Sequence, residues 1–445
     1  MDLDAVLLAR IQFALTVGFH FLFPPLSIGL AWLLVYVEWK GWKKKDEIFL
    51  QAGKFFSKIL ALTFAVGVAT GIVMEFQFGT NWAEYSKFVG DIFGAPLAAE
   101  ALFAFFLEST FMGLYLFGRN RVSPGVHWFA ILMVAVGATI SAFWIIVANS
   151  WQQTPAGYII QNGRAELIGF WAAVFNPSTI IRFSHTIMAC LVAGAFYMAG
   201  ISVWLILKKR GEFARKSLKV SIIFGLIFSF LTFLPFGHEH VRQVARTQPE
   251  KFATMEGLYV SQSQAPLMLF GIVNATVPRL DAEIKIPGLL SLLLYGTTDA
   301  HVQGLDQFIP EEIPPLWMTF VSFHNMVLLG MYFILLMLIG VWFIRKKNLY
   351  DKKWYLKLLL FSSPLPLLAC EFGWVAAEVG RQPWVVYKVL KTVDAVSMTV
   401  SKSEIIFSIV LFSVIYIFLM SLFIFLLLKE TSHVPEISER GEAMS

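Results

Sequence analysis

Five side chains able to bind iron through nitrogen, sulfur or carboxylate oxygen fall within long apolar stretches: His20, Glu100, His185, Met326 and Glu378. An ionisable group at mid-bilayer costs about 2.5–3.5 kcal/mol even on the lenient insertion scale, so each needs a reason to be there. At about 1.5 Å of rise per residue, His20 lies about ten residues in from the outer end of the first apolar span. On the same count Glu100 lies about five residues into the third span, His185 about six into the fifth and Met326 about ten into the seventh. Glu378 ends the eighth span at the same side. All five share the outer half of the bilayer, the strongest physical sign of a common site. Singly, each has a plainer reading: a membrane histidine bridges a neighbouring helix as readily as it ligates, and a lone methionine is most often packing. Pro24 cannot donate to the His20 carbonyl four residues back, which kinks the helix beside that imidazole.

A second chemistry is proton transfer. Glu100 and Glu108 are eight residues apart, so in a regular helix they differ by about 80° around the axis and about 12 Å along it. Two carboxyls near one face at successive depths read as stations of a proton route. Ser141, near mid-depth on the fourth span, would extend that route inward, with helix–helix hydrogen bonding as the equal alternative.

The elements that must position these groups follow from composition. Of 445 residues 57% are apolar and 15% charged, against about 45–50% and about 25% in soluble domains. Mean hydropathy is +0.68. A water-soluble globule and a disordered chain are both excluded. The net charge of +5 arises from short basic clusters between apolar runs, so topology explains it and nucleic acid does not. Two cysteines, Cys190 and Cys370, rule out a disulfide framework and Cys-ligated zinc or iron–sulfur centres. The first apolar run is too long for a cleavable signal peptide.

A span needs about 20 apolar residues. Nine are expected, near 10–37, 55–76, 95–118, 126–150, 179–207, 217–236, 316–344, 354–379 and 404–428. The fold class is thus an all-α polytopic membrane bundle. Lys40 and Lys43–Lys45, Arg119 and Arg121, Lys208–Arg210, and Arg345–Lys347 follow alternate spans, which puts those turns in the cytoplasm and the N-terminus outside. The organisation reads as spans one to six over 1–236, a long outer loop over 237–315, spans seven to nine over 316–428, and a cytoplasmic tail over 429–445. The loop is expected to hold an amphipathic helix around His238–Met255, and loops of this length are usually functional.

Several blocks resemble subunit I of the cytochrome bd quinol oxidases. They are Arg10-Ile-Gln-Phe-Ala-Leu-Thr through His20, Met74-Glu-Phe-Gln-Phe-Gly-Thr-Asn-Trp82, Gly90-Asp-Ile-Phe-Gly-Ala-Pro-Leu with Glu100, Phe106-Leu-Glu-Ser-Thr110, and Trp374 through Glu378 to Gly380-Arg-Gln-Pro-Trp384. The resemblance implies an inner-membrane respiratory oxidase that oxidises quinol and reduces O2 to water, with a low-spin haem b, a high-spin haem b and a haem d, and no copper. It implies His185 and Met326 as the low-spin pair, His20 and Glu378 on the two high-spin haems, and Glu100 beside or on one iron. Trp374 and Arg381 would contact cofactor, and Arg10, Glu108 and Ser141 would serve turnover. Lys251 and Glu256, in Lys-Phe-Ala-Thr-Met-Glu, resemble a quinol-site pair in a short loop. A second large subunit, and a small single-span one in some complexes, would be partners. The proton-motive force would arise without pumping, quinol protons leaving outside and water-forming protons climbing from the cytoplasm.

One departure is the sequence His324-Asn325-Met326, where the family usually has Arg two residues before the Met. Residues two apart point about 200° apart on a helix, so both cannot face one haem; Met326 is preferred as ligand and His324 is the alternative. Among rivals, a haem–copper oxidase would need six membrane histidines, and the sequence places three well inside spans. A cofactor-free proton-coupled transporter using Glu75, Glu100 and Glu108 is the remaining alternative.

Overall fold

The computed structural model describes residues 4–274, 277 and 279–435. The last residues of the expected tail, 436–445, lie outside the described residues. Among the described residues nine helices are long and apolar enough to cross a membrane. They are Ala5–Lys44, Glu47–Thr80, Ala83–Phe117, Pro124–Gln153, Thr179–Leu207, Phe213–Thr247, Leu316–Arg345, Lys353–Val379 and Lys402–Ser432. They agree in number and order with the apolar runs and mostly extend beyond them, because charged and capping residues continue the helices past the hydrocarbon. Asp46 accepts from the Ile48 and Phe49 N–H groups to start the second span, and Ser401 forms a capping box with Glu404 at the ninth. Both satisfy N–H groups a helix start leaves orphaned.

The two ends of the bundle differ. At one, short basic turns join spans one and two, three and four, five and six, and seven and eight. At the other, the connections are mostly longer. Residues 154–178 carry a hairpin, Tyr158–Gln161 against Arg164–Leu167. Residues 248–315 carry a helix, Pro249–Glu256, and a second hairpin, Leu267–Val273 against Leu280–Ile286.

Four spans are irregular. The first breaks at Leu22, between helices Ala5–Phe21 and Phe23–Lys44, because Pro24 and Pro25 supply no N–H. The third has a wide π-helical turn over Glu100–Phe105, and the sixth another over Thr232–Gly237 around Pro235. The eighth is divided at Ser363–Pro364. The polar helix expected around His238–Met255 is two helices. His238–Thr247 continues the sixth span past 236, and Pro249 forces a break before Pro249–Glu256.

The fifth span lies at the centre, buried along most of its length. It crosses the first where Gly29 meets Gly194: a methyl on Gly29 would lie 2.7 Å from Gly194 Cα. Glycine at both positions lets the backbones approach, as in small-residue crossings generally. Gly194→Leu is therefore expected to lower stability by roughly 1–3 kcal/mol or more. Gly113→Ala, which meets nothing within 4 Å, should leave it unchanged or slightly raised. Thermal unfolding of the purified protein checks this; equal midpoints for the two variants would contradict the crossing.

Candidate functional site

The spans surround a cavity of about 1690 Å³, larger than the 300–1,000 Å³ usual for a single small-molecule site. All twelve residues singled out above line it: Arg10, His20, Glu100, Glu108, Ser141, His185, Lys251, Glu256, Met326, Trp374, Glu378 and Arg381. They arrive from six spans, the turn after the eighth and the helix Pro249–Glu256.

His20 stands one turn before the proline break. Its Nδ1 is 3.0 Å from Thr70 Oγ1, and that hydroxyl donates to the Val66 and Gly67 carbonyls. With the hydroxyl proton committed, Thr70 accepts from Nδ1–H, which leaves Nε2 as the ring's free donor atom. Gly71 makes room for the ring: a methyl there would lie 3.2 Å from His20 Cε1.

His185 packs by the wide turn of the sixth span and against His240, with ring centroids 5.3 Å apart. Its Nδ1 is buried and has no hydrogen-bond partner. Met326 lies against the eighth span at Gly373, where a methyl would fall 2.9 Å from its sulfur. His324 is differently engaged. Its Nδ1 and Nε2 are each 3.0 Å from a carbonyl, of Phe320 and of Met268 in the outer hairpin, and its ring lies over Phe320. Both ring nitrogens therefore abut backbone carbonyls, the one bearing the hydrogen donating, while the Met326 thioether lines the cavity.

On the third span the wide turn begins at Glu100, and Glu108 follows it. Winding by i→i+5 bonds is slower than in a regular helix, so the 80° offset expected between the two carboxyls shrinks. Ser141 Oγ donates to Glu100 Oε1 at 2.6 Å. It therefore sits at the depth of the outer carboxylate, not inward of Glu108. Gly137, one turn away on the same helix, packs on the Glu108 backbone: a methyl there would lie 3.0 Å from Glu108 N.

Glu378 has both oxygens engaged. Arg381 pairs with Oε2, and Asn149 Nδ2 donates to Oε1 at 2.9 Å. Arg182, one turn before His185, donates to Asn149, while its Nε is buried without a partner. Arg381 also donates to Gln152 at 3.1 Å. Lys251 donates to Gln153 Oε1 at 3.0 Å and to the Ala377 carbonyl at 2.9 Å. Asn149, Gln152, Gln153, Arg182 and His240 were missed by sequence reasoning. They sit near span ends, where polar residues are commonplace, and their only signal was clustering in space.

Around this network two guanidinium groups, Arg182 and Arg381, and the Lys251 amine face the Glu378 carboxylate. Buried charge in excess is costly unless anions arrive. The orphaned His185 Nδ1 and Arg182 Nε, the free Met326 sulfur and the surplus positive charge all fit iron porphyrins, whose propionates are carboxylates. Burial, reinforced by Arg182 and Arg381, holds the Lys251 amine well below the usual lysine range. Burial also pushes Glu256 up to about 8; it is 3% exposed and its Oε2 has no partner.

Residues 8–435 match the family model of cytochrome bd terminal oxidase subunit I. The chain belongs to this family. It is 42% identical over 439 residues to cytochrome bd ubiquinol oxidase subunit 1 of Bacillus subtilis strain 168, covering 96% of this chain and 94% of that one. It is 35% identical to cytochrome bd-II ubiquinol oxidase subunit 1 of Escherichia coli K12, covering 93% of each. A solved bd oxidase from Geobacillus thermodenitrificans superimposes with a TM-score of 0.92 at 30% identity, over 97% of this chain and 99% of that one. As a cytochrome bd subunit I, the chain is a multi-pass inner-membrane protein of respiratory electron transport. It belongs to a haem-containing quinol oxidase with a further subunit.

The elevated Glu256 value gives a test of site electrostatics. The side chain should be a carboxylic acid below about pH 8 and ionise above it. Infrared spectra of the cytochrome bd complex should show one protonated carboxyl signal fading through about pH 8 and missing in Glu256→Gln. Loss of that signal near pH 4–5 would contradict the burial argument.

Proposed function

We propose that this subunit carries the whole electron path, from quinol oxidation at the outer face to O2 reduction to water. His185 and Met326 would hold a low-spin haem b. His20 and Glu378 would hold a high-spin haem b and a haem d, with Glu100 beside or on one iron and no copper. The observation that carries this reading is that these five donors, scattered along the chain, open into one cavity. His324, with each ring nitrogen against a backbone carbonyl, supports Met326 as the low-spin ligand. Bound there, a six-coordinate haem would pass electrons and a five-coordinate one would activate O2.

The chain's own residues do the rest. Glu256, with an open carboxylate oxygen, accepts a proton from the quinol hydroxyl once ionised. Lys251, held by Gln153 and the Ala377 carbonyl, lines the same cavity. Arg381 and Asn149 fix the Glu378 carboxylate, which retains lone pairs beyond those two bonds. Trp374, one turn before Glu378, and Arg10 close the cavity wall. Glu108 and Glu100, the latter with Ser141, hold protons climbing from the cytoplasm. Proton release outside and uptake inside make the reaction electrogenic without a pump.

The N-terminus then lies outside and the C-terminus in the cytoplasm. Partners are subunit II, a small single-span subunit, membrane quinol and O2. Family membership favours this reading over a cofactor-free transporter. Pyridine haemochrome analysis of the purified complex should give two b-type haems and one d-type haem, with reduced-minus-oxidised bands for each. Met326→Leu should abolish the low-spin band and cut quinol oxidation at least tenfold. A colourless complex, or an intact low-spin band in that variant, would overturn the assignment.

A further inference from the structure

The bundle end with the short basic turns holds a buried polar cluster with no part in the chemistry above. Glu38, 3% exposed on the first span, meets residues from three other spans. Tyr115 donates to its Oε1 at 2.9 Å, and Arg119 pairs with Oε1 and reaches Oε2 at 3.5 Å. His127 Nδ1 lies 4.0 Å from Oε2. The second span contributes Gly53, where a methyl would collide with the Glu38 carboxylate. His127 Nε2 is 2.9 Å from the Tyr115 carbonyl. A carbonyl only accepts, so Nε2 carries the hydrogen, and Nδ1, facing Glu38, is the nitrogen left to take a proton.

Arg119 alone would neutralise Glu38. The added tyrosine and histidine make the cluster more than an ion pair, since both carry exchangeable protons. The Arg119 side chain, 23% exposed, connects it to water. Tyr115 lies seven residues after Glu108, two turns along the same helix face and about 10.5 Å away. The fourth span repeats the order: His127 in the cluster, Gly137 against Glu108, and Ser141 on Glu100. Three levels of proton-bearing groups therefore stand along the same pair of helices.

We infer that Glu38, Tyr115 and His127 form the cytoplasmic proton-loading mouth of the route through Glu108. This rests on the reading that water-forming protons climb past Glu108. His127 Nδ1 takes a proton from cytoplasmic water and becomes an imidazolium steadied by Glu38. The proton passes to the Glu38 carboxylate; the Tyr115 hydroxyl, freed from donating to Glu38, turns, accepts this proton and gives its own hydrogen to water below Glu108. The Glu108 carboxylate is then protonated. One proton enters, one arrives, and all three mouth residues return to their starting charge.

The test is dye-detected proton uptake by the reduced, fully assembled complex after rapid mixing with O2, with haem content and spectra recorded alongside. His127→Gln keeps a donor for the Tyr115 carbonyl but carries no proton, and Glu38→Gln removes the steadying charge. Both should slow uptake at least fivefold with haem content and spectra unchanged. If either fails to assemble, Tyr115→Phe, which keeps the Glu38–Arg119 pair, is held to the same threshold. Slowing below fivefold in assembled variants, with Glu108→Gln slow, overturns the mouth alone. Rapid uptake in Glu108→Gln overturns the route and the mouth with it.

Discussion

Ionised side chains inside a membrane must pair with one another or face a polar cavity, and here the network around Glu378 does both. Asn149, Gln152 and Gln153 on the fourth span, Arg182 on the fifth, Glu378 at the end of the eighth, Arg381 just beyond it, and Lys251 from the outer connection are joined by hydrogen bonds. The outer connection is thereby fixed to the transmembrane walls. Two guanidinium groups, Arg182 and Arg381, share the Glu378 carboxylate here, a surplus that the carboxylates of a bound haem would offset.

The helix irregularities serve the same cavity. The first span breaks just after His20, the third widens at Glu100, and the sixth widens where it meets His185. Each departure from regular winding frees backbone groups and redirects a functional side chain. Close crossings such as Gly29–Gly194 keep the remainder of the bundle rigid around them.

Much of this was legible in the sequence. Apolar run length fixes the spans, because the hydrocarbon thickness sets a minimum number of residues, and Pro24–Pro25 marks the first break. The shared depth of His20, Glu100, His185, Met326 and Glu378 led to one cavity. Other features were hidden. No proline stands within Glu100–Phe105 to mark its wide turn, and that turn, with helix tilt, sets Ser141 level with Glu100. His238–Thr247 is too polar to read as part of a span, yet it continues the sixth helix. Asn149 and Arg182 lie near span ends, where polar residues carry no signal. Glu38 gave no sign of its cluster, because Tyr115, Arg119 and His127 come from distant segments.

The most direct measurement is near-infrared magnetic circular dichroism of the oxidised, purified complex, in which methionine and histidine axial ligands give distinct charge-transfer bands. A His–Met band is predicted, arising from His185 and Met326 and absent from a variant lacking the Met326 sulfur. A bis-histidine band, or a His–Met band that persists without Met326, would contradict the arrangement from which the electron path starts.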